Sequence, residues 1–135
     1  KKIKKKMEKK KNILIDTNVF VDYLRNFAPS IEFFKSIVDE ENIFFSAISE
    51  TELVAGSANE DPEKKKILMA FLANLRKVPV DNPLVEYAGD ISRKYSLDVP
   101  DAIIAASALY KNAKLITKNS KDFENISGLE VEEPY

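Results

Sequence analysis

The sequence predicts an α/β protein, a three-layer α/β/α sandwich around a short parallel sheet of four or five strands. The short apolar runs Ile13-Leu14-Ile15, Ile43-Phe44-Phe45 and Leu115-Ile116 are bounded by polar residues and are too short for helices, as expected of strands buried on both faces. Longer segments between them repeat apolar residues every three or four positions, the helical period. Strands therefore alternate with helices, which calls for a parallel sheet covered on both sides. A chain of 135 residues with 44% hydrophobic residues can build one core and is too short for two ordinary domains.

The elements follow in order. The first strand ends at Asp16, and Val19, Phe20, Tyr23 and Leu24 then place one helix face on the sheet. Pro29 starts a second helix over 30–41, in which the apolar residues Ile31, Phe34, Ile37 and Val38 repeat every three or four positions and Asp39-Glu40-Glu41 is a solvated turn. After the second strand a helix runs through Ala55, with Gly56 as its closing C′ residue. The stretch 59–62 is a loop, and a helix over 62–75 follows, burying Ile67, Leu68, Phe71, Leu72 and Leu75. Val78-Pro79-Val80 is a third strand, placed near an edge by its proline. Asn82-Pro83 begins a helix to Tyr95 with Leu84, Val85, Ala88 and Ile91 inward, in which Gly89 marks close packing. Asp98-Val99-Pro100-Asp101 opens the most apolar helix, through Tyr110, whose small residues suit a central position. The run 114–117 is the fourth strand, 118–123 a loop, and Leu129-Glu130-Val131 a last edge strand.

Composition limits the chemistry. No cysteine and no histidine are present, which excludes disulfides, thiolate catalysis, a Ser-His-Asp triad and metal sites built on Cys or His. An enzyme with this composition must work with carboxylates, and those favour hard, oxygen-liking ions such as Mg2+ or Mn2+. Residues 1–11 hold eight lysines and one glutamate, leaving thirteen basic and twenty-one acidic residues in 12–135 and a net charge of about −8 there. The division is thus a basic arm, 1–11, expected to be solvated and disordered, or to be an appended segment, or to lie upstream of a start at Met7, and a domain, 12–135. An acidic body is unlike a general nucleic-acid binder and suits a holder of cations or a basic partner. No run of about 18 apolar residues and no signal-peptide pattern is visible, so the sequence predicts no membrane span and a cytoplasmic location.

Three acids stand at comparable places, each with a structural alternative. Asp16 ends the first strand, where ligands gather in open α/β sheets, although Asp16 or Thr17 also suits the N-cap of the next helix, the better reading of that stretch alone. Glu52 lies one turn into the helix after the second strand, but Ser49-Glu50-Thr51-Glu52 also fits a capping box. Asp101 lies in the first turn of the small-residue helix, where it complements the helix dipole, with Asp98 as a cap or an outer group. What favours chemistry is their convergence on one sheet edge, where carboxylates repel unless a cation sits among them.

The segments Ile13-Leu14-Ile15-Asp16-Thr17-Asn18-Val19-Phe20, Ser49-Glu50-Thr51-Glu52-Leu53, 101–109 and Leu115-Ile116-Thr117-Lys118-Asn119-Ser120-Lys121-Asp122-Phe123 resemble, in order, the four motifs of PIN-domain proteins of the VapC toxin type. The likeness runs from Asn12 to about Phe123. It implies a PIN-like fold and a metal-dependent endoribonuclease acting on RNA, held inactive by a cognate antitoxin protein. It also implies Asp16, Glu52 and Asp101 as the acidic metal-site and catalytic positions. Thr17, Asn18 and Thr117 match polar positions beside them. Asn119 stands at the family's fourth acidic position with Asp122 three residues on, and Asp98 is an additional acid. With Asn119 there, one resident ion is expected, and a second only with substrate.

The chemistry itself asks for ionised water and neutralised charge on the leaving oxygen. A Mg2+ or Mn2+ ion held by Asp16 and Asp101 suits that, with Glu52 positioning the ion or taking the proton. A haloacid-dehalogenase-like phosphatase needs Asp-x-Asp, and this chain has Asp16-Thr17-Asn18. A response-regulator receiver needs an aspartate after a long central strand, whereas Asp81 follows a proline-containing edge. The serious alternative is a catalytically impaired PIN-like module that binds RNA or protein. Apolar groups on the early helices, including Phe27, Phe33 and Phe34, suit a homodimer or the antitoxin, and core packing accounts for them equally well.

Overall fold

The structure, a computed structural model, describes residues 9–135. Five strands, β1 Lys11–Ile15, β2 Glu41–Ser46, β3 Arg76–Val78, β4 Lys114–Ile116 and β5 Val131–Glu132, form one sheet in the order β3-β2-β1-β4-β5, every neighbouring pair parallel. Seven helices cover it: α1 Thr17–Leu24, α2 Ala28–Ile37, α3 Ala47–Val54, α4 Pro62–Ala73, α5 Asn82–Tyr95, α6 Val99–Tyr110 and the short α7 Ser120–Phe123. Among the described residues no helix is long and apolar enough to cross a membrane.

The two-residue period of the strands divides the core. Leu14, Phe44, Val78 and Leu115 point to one face, where α5 and α6 supply Leu84, Ala88, Ile91, Ala102, Ala105 and other small residues. Ile13, Ile15, Ile43, Phe45 and Ile116 point to the other, under α1, α2, α3 and α4. That second face is aromatic. Phe20, fully buried, packs its ring against those of Phe34, Phe45 and Phe71 at centroid distances of 5.7, 6.1 and 6.0 Å.

Several local expectations are corrected. The acidic residue Glu41 opens β2, in register with Lys11, so α2 is shorter than predicted and β1 begins inside the lysine run. Lys9 and Lys10 are exposed, and the arm reading for residues 1–8 lies outside the described residues. The third strand ends at Val78, before Pro79, and the fifth lies at 131–132. Ser57–Glu60 forms a 3-10 turn, with Asp61 capping α4. Ile67 and Val85 are exposed, because Leu68 and Leu72 of α4 and Leu84, Ala88 and Ile91 of α5 already complete the inward stripes. Gly56 has φ −61° and closes no left-handed cap, and a Cβ on Gly89 would meet open space. Gly128, at φ +81°, is the glycine whose backbone requires its freedom.

The strand order has a functional consequence. The chain runs outward through β1, β2 and β3, then returns to the other side of β1 as β4. The reversal lies between β1 and β4, and the crevice beyond the carboxyl ends of such a pair is where open α/β sheets take ligands.

Candidate active site

Asp16 follows β1 directly and lies at that reversal. Its backbone N–H is held by the carbonyl of Ile116 at 2.9 Å, and the residue is 5% exposed. Its side chain caps α1 with one oxygen only, Oδ1 accepting from the Thr17 N–H at 2.7 Å. Oδ2 accepts from the hydroxyl of the buried Thr117, just past β4, at 2.8 Å. Thr117 Oγ1 in turn accepts from the Asn119 N–H at 3.0 Å. The ends of β1 and β4 are thereby joined through a buried carboxylate.

A second chain of hydroxyls fixes Glu52. Thr17 Oγ1 donates to Glu52 Oε1 at 2.7 Å, which commits its single proton, so Ser49, whose Oγ is 2.8 Å from Thr17 Oγ1, is the donor in that contact. The capping-box alternative fails here. Ser46 is the N-cap of α3, its hydroxyl accepting from the Ile48 N–H, and Ser49 is a buried residue inside the helix. Glu52 therefore faces Thr17 of α1. Ser49 supports Thr17 in this hydroxyl chain, a part that the sequence did not single out because its spacing to Glu52 imitates a cap.

Asp101 occupies the first turn of α6. Asp98 holds the N-cap position but makes no side-chain capping bond, so of its two alternatives the cap is not formed. Asp98, Asp101 and Asp122 line one hollow of ≈ 210 Å³ with Tyr95, Ser96 and Leu97. A larger hollow, ≈ 390 Å³, opens at the opposite, amino-terminal edge among Lys9, Lys10, Lys11, Lys114 and Glu130, and holds none of these acids.

The acids feel one another. Burial raises the Asp16 pKa, the bonds from Thr117 and Thr17 pull it down, and repulsion from Glu52 and Asp122 raises it again, with a net upward shift. Asp101 is pushed up to about 6, first by burial and then by the charges of Asp16, Asp122, Asp98 and Glu52. Asp16, Glu52, Asp98, Asp101 and Asp122 thus form one electrostatic cluster. Asn18 lies exposed on α1, and Asn119 contributes its backbone N–H to Thr117.

The donor set fits a hard divalent cation. It is all oxygen, the surrounding carboxylates help raise the pKa values of Asp16 and Asp101, and Asp16 keeps lone pairs free beyond the two bonds it accepts. Among the described residues no three acidic side chains are drawn close enough to surround one ion as they stand. The carboxylates are coupled at the range of charge repulsion, and Glu52 is turned to Thr17.

Comparison with known proteins agrees with this arrangement. The sequence model of the PIN domain family matches residues 13–129. Ribonuclease VapC1 of Methanocaldococcus jannaschii is 30% identical, over 97% of this chain and 95% of that protein. Among solved structures, a toxin-antitoxin complex from Klebsiella pneumoniae superposes with a TM-score of 0.78 at 26% identity, covering 91% of this chain and 98% of the other. VapBC2 from Rickettsia felis, bound to a DNA fragment from their promoter, gives a TM-score of 0.78 at 22% identity, covering 90% and 98%, a likeness of fold. Motif order, sheet topology and likeness across nearly the whole chain agree, and the chain belongs to the PIN-domain family, among the VapC-type toxin ribonucleases.

Proposed function

We propose that this toxin ribonuclease hydrolyses RNA phosphodiester bonds with a divalent cation held by Asp16 and Asp101, and that Glu52 completes the site. The observation that carries the reading is the shared repulsion of Asp16, Glu52, Asp101 and Asp122 at the carboxyl edge of the sheet. Such a cluster is stable when positive charge enters it. When bound, Mg2+ or Mn2+ supplies an activated water and neutralises phosphate charge.

The protein's own groups do the rest. Asp16, fixed by Thr17 on one oxygen and Thr117 on the other, has little rotational freedom and keeps a lone pair on each oxygen for a cation. Asp101 is poised to ionise near neutral pH. Glu52, at the exposed rim and oriented by Thr17, is the group able to take a proton from attacking water and release it to solvent. Asp122 adds negative charge that Asn119 lacks, which supports an active enzyme over an impaired binding module.

The Klebsiella likeness, to a toxin-antitoxin complex, supports a cognate antitoxin protein as partner. A homodimer and a cytoplasmic location belong to the same proposal. Leu24 and Phe27 leave apolar surface on and just after α1, whereas Phe34 is spent in the core and is withdrawn from that surface.

The test is cleavage of a mixed RNA pool with Mg2+ or Mn2+, with EDTA, and with Asp16→Asn and Asp101→Asn. Cutting that needs the ion and disappears in both variants is expected. Cutting that persists in either variant would refute the assignment of ligands. Folded, antitoxin-free protein that neither cuts nor binds metal would leave the binding module as the reading.

A further inference from the structure

One carboxylate outside the acidic cluster ties the site to the rest of the fold. Asp22 lies on α1, and its Oδ2 accepts from Lys118 Nζ at 2.8 Å and from Tyr135 Oη at 2.6 Å. These two donors hold its pKa below its ordinary value. The Tyr135 ring is anchored in turn against Phe27, at a centroid distance of 5.6 Å. Lys118 sits between Thr117, whose hydroxyl holds Asp16, and Asn119, whose N–H holds Thr117.

The turn that Lys118 occupies is also tied to the last strand, by the Thr117 N–H on the Glu132 carbonyl at 3.1 Å and by Ser120 Oγ on Glu133 Oε2 at 2.5 Å, whereas Lys118 is what ties it to α1. The four-residue α7 that follows has no side-chain cap, although Phe123 is buried. Lys118 is 40% exposed and Asp22 18%, so the ion pair adds little to global stability. Its effect falls on orientation, because one end is rooted in a helix and the other in the segment that leads from Thr117 to Asp122. We propose that Asp22 is a positioning residue which, through Lys118, fixes the β4–α7 turn so that Thr117 holds Asp16 and the charge of Asp122 stays in the cluster. The inference rests on the proposed metal-holding role of Asp16 and Asp101.

A structural role would move the melting temperature. A positioning role moves metal affinity before any RNA is present. Mn2+ alone, titrated into the full chain and followed by the paramagnetic resonance signal of the free ion, separates the two. Asp22→Asn and Lys118→Met should each weaken Mn2+ binding roughly three- to tenfold, less than the 10- to 100-fold typical of groups bonded directly to a ligand. The double variant should be no weaker than the poorer single, because both remove one interaction. Lys118→Arg, which keeps a donor for Asp22, should bind within about twofold of the parent.

Unchanged Mn2+ affinity in both single variants would overturn the inference and leave Lys118 free for another task, such as contact with RNA phosphate. Weakening that merely tracks loss of folded protein would overturn it too, and Lys118→Arg guards against mistaking one for the other. A parent protein that binds no Mn2+ would refute the metal reading itself, and the inference with it. That result differs from a parent that binds normally beside variants that do the same.

Discussion

Asp101→Asn should make the metal-free protein more stable while removing its function. The first turn of a helix favours a negative side chain by about 0.3–1 kcal/mol, and Asp101 stands there. Its pKa is nevertheless pushed up to about 6 by burial and by four neighbouring carboxylates, so repulsion and desolvation outweigh the dipole. A rise of about two units sets a ceiling of about 3 kcal/mol on the destabilisation by the ionised form. The side chain is only partly buried, and solvent and salt screen it, so about 1 kcal/mol is the working figure. The sign follows from the folded-state pKa lying above the unfolded value. Below about pH 4 the group is neutral in both states and no penalty exists. The penalty grows as pH rises towards 6 and is complete above it. In EDTA at about pH 8 the variant should therefore melt about 3–5 °C above the parent, and the gap should close towards about pH 4. Added Mn2+ should reverse the order, because it stabilises the parent alone. A variant that melts below the parent in EDTA at pH 8, or an offset independent of pH, would refute the idea that the carboxylates oppose one another.

Two further outcomes test the frame around the cluster. Thr117→Val removes the hydroxyl that lowers the Asp16 pKa, so the acid limb of the cleavage profile should move to higher pH, at about 1–3 kcal/mol of lost stability from the unpartnered buried oxygen; an unmoved limb would mean that Asp16 does not set it. Phe20→Ala empties the centre of the aromatic face and should lower the unfolding free energy by about 3–5 kcal/mol in urea titration, and a loss under 1 kcal/mol would mean that the face repacks.

The parallel sheet was legible in the sequence because strands buried on both faces must be short, continuous and apolar, as Ile13-Leu14-Ile15 and Ile43-Phe44-Phe45 are. Individual helix faces were less so. Val85 and Ile67 keep the helical period of their neighbours, yet the sheet is too narrow to cover them. Asp16 and Asp101 stood out by their places at element ends, and the resemblance pointed to Thr17 and Thr117, but which side chain bonds to which could not be read from the sequence. Thr117 meets Asp16 from a separation of 101 residues, and the Lys118–Asp22 pair spans 96, distances at which local patterns carry no information about contact. Ser49 and Glu52 were ambiguous for the opposite reason, since a local motif offered a capping alternative that tertiary packing overrode.

The strongest case against a merely structural role for the acids comes from comparing two joints of the same sheet. β1 passes into α1 through Asp16, and β2 passes into α3 through Ser46; both residues are buried, extended and capping. Ser46 caps without bringing charge into the core. If capping were all that the end of β1 required, a serine there would serve, and the fold would avoid a buried carboxylate whose pKa is raised by its neighbours. Asp98 sharpens the contrast, since it occupies an N-cap position and makes no capping bond. The negative charge at Asp16, Asp98 and Asp101 is thus in excess of what the helices need, and it is concentrated at the reversal of strand order, where a sheet of this kind is open to ligands. Charge retained against its own repulsion, at the edge where open α/β sheets take ligands, is what distinguishes these acids from a set of caps.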